Sequence, residues 1–154
     1  IKVMQSVYEF ILSIVDERDL LLVHGFATLY MTGLIWFVQL VHYPLFAQVG
    51  RHAHLSYHSA HVYWTTWAVG PPMLLELGIT LLLCFSDTFA RSTTVCGLII
   101  LIIIWLSTAM VQVPCHNQLA LSFDSRIHRK LVLSNWVRTL GWTMRALIAL
   151  FLLR

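Results

Sequence analysis

Four long apolar stretches dominate the pattern of hydrophobic and polar positions along this chain. They cover residues 20–42, 61–85, 94–114 and 131–153. A transmembrane helix needs about 20 consecutive, mostly apolar residues, and each stretch is long enough. Backbone groups in lipid must bond within their own segment, so each stretch is predicted to be a helix. The pattern therefore predicts an all-α fold, a four-transmembrane-helix bundle formed by residues 20–154.

Prolines interrupt this pattern at three places. Pro44 and Pro114 follow the first and third stretches and are expected to end those helices. Pro71 and Pro72 lie inside the second stretch, where they are expected to kink the helix. The prolines thus predict two helix ends and one bend.

Residues 1–19 show a different pattern from the rest of the chain. Apolar side chains recur at helical spacing, and polar side chains fall on the other side. This spacing predicts a short amphipathic helix that lies in the membrane interface or packs on a neighbouring subunit. A polar break at residues 16–19 follows, with Asp19 as the expected N-cap of the first span.

The two halves of the chain align when they are offset by 70 residues. Pro44 then falls on Pro114 and His58 on His128, and two further identities lie in the same region. This predicts two parallel two-helix repeats. Such repeats are common in membrane folds, and binding sites often lie between them.

Composition and charge agree with a membrane protein. The 154 residues are 58% hydrophobic and 11% charged, whereas a soluble domain carries about 25% charge. The net charge of +3 gives no indication of nucleic acid as a partner, so the lipid bilayer is the expected environment. The three cysteines form no CxxC motif and are expected to be free thiols.

The basic residues predict an orientation, because they favour the cytoplasmic side. Arg51 follows the first span, and Arg126, Arg129 and Lys130 precede the fourth. Loops 43–60 and 115–130 are therefore expected in the cytoplasm, with both termini on the periplasmic side of a bacterial inner membrane.

The polar residues of the spans fall into two layers. The layer at the predicted cytoplasmic end contains Gln39, His42, His58, His61, Gln112, His116 and His128. The other layer contains His24, Glu76 and Arg145, and Asn135 and Arg138 lie between the layers. An ionisable group at the centre of a span costs about 2.5–3.5 kcal/mol. We therefore expect Glu76 to pair with Arg145, and Arg138 either to extend its side chain to the membrane surface or to bond to Asn135 and glutamines.

The histidine layer suggests a cofactor site. Neutral imidazole is the commonest metal ligand, and helical bundles build metal and haem sites from facing helices. His42 and His116 are candidate axial ligands of haem b, with Arg138 or Arg129 at the propionates. Alternatively, His42, His61 and His116 hold a transition metal. The remaining interpretation is a polar network with water that includes Gln39, Glu76, Gln112, Asn135 and Arg145.

Four motifs carry a resemblance to a known family: WFVQLVHYPLF, TTWAVGPPMLLE, VQVPCHNQL and NWVRTLGWTMR. Over residues 20–153 the chain resembles a family of small bacterial four-helix membrane proteins. The resemblance implies a fold but no activity. Among the histidines it marks His42, His61 and His116, and it omits His24, His52, His54 and His58.

Two other groups are similar in architecture alone. They are the anthrone-oxygenase-like membrane proteins and the haem-binding protoporphyrinogen oxidase of bacteria. The WFVQLVHYP motif departs from that of the oxidase, and no lysine matches its functional set.

Three classes of function are compatible with these patterns. The first is a redox protein that uses haem or a metal to act on a quinone, a porphyrin or another lipophilic molecule. The second is a non-catalytic subunit of a larger respiratory or photosynthetic membrane complex. The third is a transporter or proton path that works as a homo-oligomer. The sequence assigns no catalytic residue.

Overall fold

The computed structural model describes residues 2–86, 88–89 and 91–154, apart from the side chain of Arg51. Arg51 is one of the basic residues from which the orientation was predicted, so that part of the prediction lies outside the described residues. Within these ranges the chain is all-helical, as predicted, and has no strand. The α-helices are α1 Lys2–Leu12, α2 Glu17–Phe37, α3 Tyr43–Phe46, α4 Arg51–Leu83, α5 Arg91–Ser107, α6 Val113–Leu119 and α7 Ser125–Leu152. Two one-turn π-helical segments, Val38–His42 and Thr108–Gln112, join α2 to α3 and α5 to α6.

Three helical segments are long and apolar enough to cross a membrane. They are Glu17–Phe46, His52–Leu83 and Arg91–Leu119. They support a membrane protein and correspond to the first three predicted spans. The fourth predicted span lies in α7, which has 28 residues but is too polar on average to qualify. The prediction of four spans is therefore not confirmed by length and composition.

The prediction that prolines end two helices was wrong. The first helical segment continues past Pro44 to Phe46, and the third continues past Pro114 to Leu119. A proline in a helix removes one N–H donor, and its ring clashes with the carbonyl four residues back. In both segments a wider turn just before the proline relieves this conflict.

These wider turns are the two π turns, in which an N–H bonds to the carbonyl five residues back. Tyr43 N–H donates to Val38 O, and Val113 N–H donates to Thr108 O. The two turns lie 70 residues apart, which is the offset that aligns Pro44 with Pro114. The same offset therefore relates the two π turns, and the repeat of the two halves stays a prediction.

One further boundary differs from the sequence prediction. Pro71 and Pro72 lie inside α4, which is one continuous helix of 33 residues, and the kink expected there stays a prediction. The helix α2 begins at Glu17, and Asp16 occupies the N-cap position with an extended backbone. Asp19 was therefore wrongly predicted as the cap. It lies in the first turn, where a carboxylate interacts favourably with the helix dipole.

The four long helical segments pack around a common core. The α2 helix contacts α4 and α7, and the α5 helix also contacts both α4 and α7. The central apolar cluster contains Met31, Ile35, Met73, Leu101, Ile104 and Trp142. One end of the bundle has a second cluster around Phe46, Leu119 and Leu131, and the other end a third around Ile79, Leu83 and Leu152.

The predicted amphipathic helix is present as α1. Its Tyr8 is buried, and the Tyr8 hydroxyl donates to Glu17 Oε1 over 2.6 Å. Glu17 also accepts hydrogen bonds from Ser86 and Thr88, which tie the loop after α4 to the start of α2. An apolar stripe remains exposed, and it consists of Val3, Val7 and Phe10 on α1 and of Ile14 just after the helix.

Candidate functional site

A cavity of about 380 Å³ lies between α2, α4 and α5–α6, and it reaches α7 at Arg138. This volume is at the lower end of the range of about 300–1,000 Å³ that small-molecule sites occupy. The wall toward the central core is apolar and includes Met31, Ile35, Met73 and Trp105. The opposite wall is polar and includes Tyr43, His61, Gln112, His116 and Arg138. The cavity therefore has an apolar end and a polar end.

Both π turns border this cavity. Val38 and Thr108, the first residues of the two turns, line it. Gln112 closes the second turn, and Tyr43 directly follows the first. The proline-associated turns thus carry part of the polar wall, in keeping with the frequent occurrence of π turns at functional sites.

Two buried glutamines connect the π turns to α7. Gln39 Nε2 donates to Val132 O over 3.3 Å, and Gln39 Oε1 accepts from Asn135 Nδ2 over 2.9 Å. Gln112 Nε2 donates to Ser134 Oγ over 2.9 Å. Lipid cannot form hydrogen bonds with these polar side chains, so the bonds within the protein satisfy them. The same bonds hold α7 against both π turns. The predicted polar residues Gln39, Gln112 and Asn135 therefore all hold the bundle together.

Arg138 is buried at the polar end of the cavity, with only 8% of its surface exposed. Its Nη1 donates to Asn135 Oδ1 over 3.3 Å, and the Tyr43 hydroxyl lies near the guanidinium. Both groups are neutral, and no described carboxylate forms an ion pair with Arg138. Neutral partners satisfy N–H groups but leave the charge of the guanidinium uncompensated.

Four histidines form a cluster beside Arg138. The rings of His42 and His61 stack with centroids 4.3 Å apart, and the ring of His61 lies 5.4 Å from that of His116. His116 Nδ1 lies 3.3 Å from His58 Nε2, and the Tyr43 hydroxyl lies 3.3 Å from His116 Nε2. The three predicted ligands His42, His61 and His116 are therefore close together, and they are joined by His58.

The ring orientations in this cluster are not those of a metal centre. Among the described residues, no group of three or more His, Cys, Asp or Glu side chains is arranged to hold a metal ion. Imidazole binds a metal through a lone pair in the ring plane, and the planes of His42 and His61 are within 23° of parallel. Both ring nitrogens of His116 already have hydrogen-bonding partners. The haem and metal hypotheses stay predictions.

The second polar layer is a buried ion pair. Glu76 is fully buried, and its Oε2 lies 2.7 Å from Arg145 Nη2 and 3.0 Å from His24 Nε2. Thr28 and Thr80 donate to the same carboxylate. The predicted pairing of Glu76 with Arg145 is therefore confirmed. His24, which the family resemblance omits, is part of this layer.

Sequence reasoning missed or misplaced several residues of the site. The family resemblance omits His58, although its spacing with His61 on one helical face had placed it in the histidine layer and the structure joins it to His116. Tyr43 was missed, although it lies between His42 and a proline. Arg129, the alternative to Arg138 at the propionates, is exposed and does not line the cavity.

No protein-family model, curated protein or solved structure matches this chain. The resemblance to small bacterial four-helix membrane proteins therefore stays a prediction. The function has to be argued from the geometry of the cavity and the residues around it.

Proposed function

We propose that this protein is a four-span integral membrane protein whose cavity binds a lipophilic molecule with a polar head. The observation that carries the proposal is the cavity itself, which is apolar at one end and polar at the other. The apolar end suits a hydrocarbon chain or ring. The polar end offers the Tyr43 hydroxyl and the Arg138 guanidinium to an oxygen of the head group.

The side chains of α7 support its role as the fourth span. Its exposed stripe is apolar and consists of Leu133, Val137, Leu140, Met144, Leu147 and Phe151. At 1.5 Å per residue this stripe is roughly 27 Å long, close to the hydrocarbon thickness of about 30 Å. The polar residues Asn135, Arg138 and Arg145 are all buried against the bundle. Along this stripe, the charged side chains of α7 thus lie on its inner face and not on the face toward lipid.

The exposed charges support the proposed orientation. Arg126, Arg129 and Lys130 are exposed at the N-terminal end of α7, which favours the cytoplasm for that end. The opposite end of the bundle carries both termini. There, the exposed apolar stripe of α1 suits the boundary between head groups and acyl chains.

The cavity opens toward the side of the bundle that would face lipid. Among its lining residues, Val62 and Thr66 on α4 and Val113 and Asn117 on α6 are exposed. The members of each pair are four residues apart and therefore lie on one helical face. A mouth between α4 and α6 would let a molecule dissolved in the bilayer reach the cavity without crossing water.

Fluorescence quenching tests this binding function. Trp105 lines the cavity, so a bromine atom on a bound chain should quench its emission. The protein in lipid nanodiscs would be titrated with dodecanol and dodecanoate that carry bromine at the chain end. The matched variant Trp105→Phe corrects for quenching of tryptophans that face lipid. Equal quenching in the wild type and in Trp105→Phe, with both probes, would refute the proposal.

A haem or metal redox protein is the second candidate, and the closeness of His42, His61 and His116 is the observation that favours it. Imidazoles from three helical segments supply ligands that iron or copper accepts, but the stacked rings would have to turn before their nitrogens faced a common ion. An absorption spectrum and an elemental analysis of the purified protein test this candidate, with His42→Ala and His116→Ala as controls. A protein with neither a Soret band nor stoichiometric metal would contradict it.

A further inference from the structure

Two arginines of α7 are buried seven residues apart on the same helical face, and they differ in one respect. Arg145 has a carboxylate, because Glu76 Oε2 lies 2.7 Å from its Nη2. Arg138 has none among the described residues, since it bonds to the neutral Asn135 and its other near neighbour, Tyr43, is also neutral. Arg145 is 2% exposed and Arg138 is 8% exposed, so both guanidinium groups are largely shielded from solvent.

An uncompensated charge at the depth of Arg138 is unfavourable. The effective penalty for burying an ion is several kcal/mol even after the protein relaxes. Within membrane spans, ionisable groups without a structural partner mark sites of function by default. Arg138 also lines the cavity, which Arg145 does not share, and its Nε has no hydrogen-bond partner among the described residues. The compensating charge therefore fits best on a molecule that enters this cavity.

We propose that the ligand of the cavity is a long-chain carboxylate whose head pairs with Arg138. This inference rests on the proposed binding function and specifies the class of ligand. The planar guanidinium matches the two oxygens of a carboxylate, and such charge-assisted pairs are stronger than neutral hydrogen bonds. Tyr43 lines the same end of the cavity, and its hydroxyl can bind the same head group when it turns from His116. The chain extends along Met31, Met73 and Trp105.

The charge of the head group separates this ligand from other lipophilic molecules. A quinone or an alcohol would fill the apolar end equally well, but it would leave the charge of Arg138 uncompensated. The carboxylate of Glu76 does not serve this purpose, because Arg145, His24 and two threonines already occupy its oxygens. The cavity should thus distinguish ligands by the charge of the head group and not by the hydrocarbon chain.

The test compares two probes of equal length, dodecanoate and dodecanol with bromine at the chain end, through the quenching of Trp105 in nanodiscs. Empty nanodiscs give the partition of each probe into lipid. Relative to its concentration in the bilayer, dodecanoate should bind wild-type protein at least about tenfold more tightly than dodecanol. Arg138→Gln should remove this preference, whereas Arg138→Lys should retain a part of it. Arg129→Gln removes an exposed charge from the same helix and should change nothing.

The outcomes separate this inference from the function on which it rests. If neither probe quenches Trp105, the binding function itself fails. If both probes bind equally well to the wild type, the cavity binds lipophilic molecules but the carboxylate is wrong. The same conclusion follows if Arg138→Gln folds and keeps the preference. The wild-type comparison needs no variant, so it decides the question even where Arg138→Gln does not fold.

Discussion

Replacing Arg145 by methionine is expected to destabilise the bundle strongly. The methionine fills a similar volume but removes the cation that faces Glu76 over 2.7 Å. It also removes the bonds from Arg145 to Thr80 and to the carbonyl of Gly97. Glu76, which is fully buried, would keep its charge with only His24 and hydroxyl groups beside it. Breaking a buried pair in this way costs about 3–5 kcal/mol.

A double-mutant cycle isolates the pair from the other losses. Glu76→Gln alone leaves Arg145 uncompensated and should cost a similar amount. The combination Glu76→Gln with Arg145→Met removes both charges and should cost much less than the sum of the two. Replacing a whole buried pair with apolar groups is often close to neutral. The coupling free energy is expected at the upper end of the range of about 0.5–3 kcal/mol found for residues in contact.

Denaturant titration in mixed micelles, followed by tryptophan fluorescence, measures these free energies of unfolding. Arg138→Met is the matched comparison, because it removes a buried arginine that has no carboxylate. It should change the free energy of unfolding by less than about 1 kcal/mol, since the loss of the hydrogen bond to the neutral Asn135 is offset by the removal of an unpaired charge. Additive losses in the cycle, or equal losses for Arg138→Met and Arg145→Met, would show that the ion pair is not what stabilises this layer.

Three further substitutions test other parts of the structure. Gly141→Ala should destabilise the contact of α5 with α7 by about 1–3 kcal/mol, because the added Cβ would meet Ile104 Cγ1 at 2.8 Å. Gly33→Ala is the control in the same titration and should be neutral or stabilising, because its added Cβ meets nothing within 4 Å. Gln39→Leu leaves buried groups of α7 without partners and should cost about 1–3 kcal/mol, and an unchanged unfolding midpoint would contradict the assigned bonds. Thr66→Trp should fill the mouth of the cavity and slow the association of brominated dodecanoate in stopped-flow quenching, while unchanged rates would place the access route elsewhere.

The histidine and proline positions show how far the sequence led toward the site. The stretch WFVQLVHYPLF placed Gln39 and His42 at one depth, and both lie at that end of the bundle. The same stretch predicted that the helix ends at Pro44, because a proline usually cannot continue an α-helix. The helix continues because a π turn precedes the proline, and neither turn has a signature in composition or periodicity.

What the sequence determined by itself follows from local physical rules. The length and apolarity of a segment decide whether it can cross a membrane, and the rise of 1.5 Å per residue gives the depth of each polar group. These two rules predicted the helical class and the pairing of Glu76 with Arg145, which needed only equal depth and opposite charge.

The tertiary structure decided which side chains at one depth face each other. His58 contacts His116, and the ring of His61 stacks on that of His42. Both contacts depend on how far α4 is rotated about its own axis relative to the neighbouring helices. The cavity and the missing carboxylate at Arg138 likewise depend on residues from four helical segments. Depth is a property of one helix, whereas rotation and contact are properties of a packed set of helices, and the periodicity of one chain segment does not contain them.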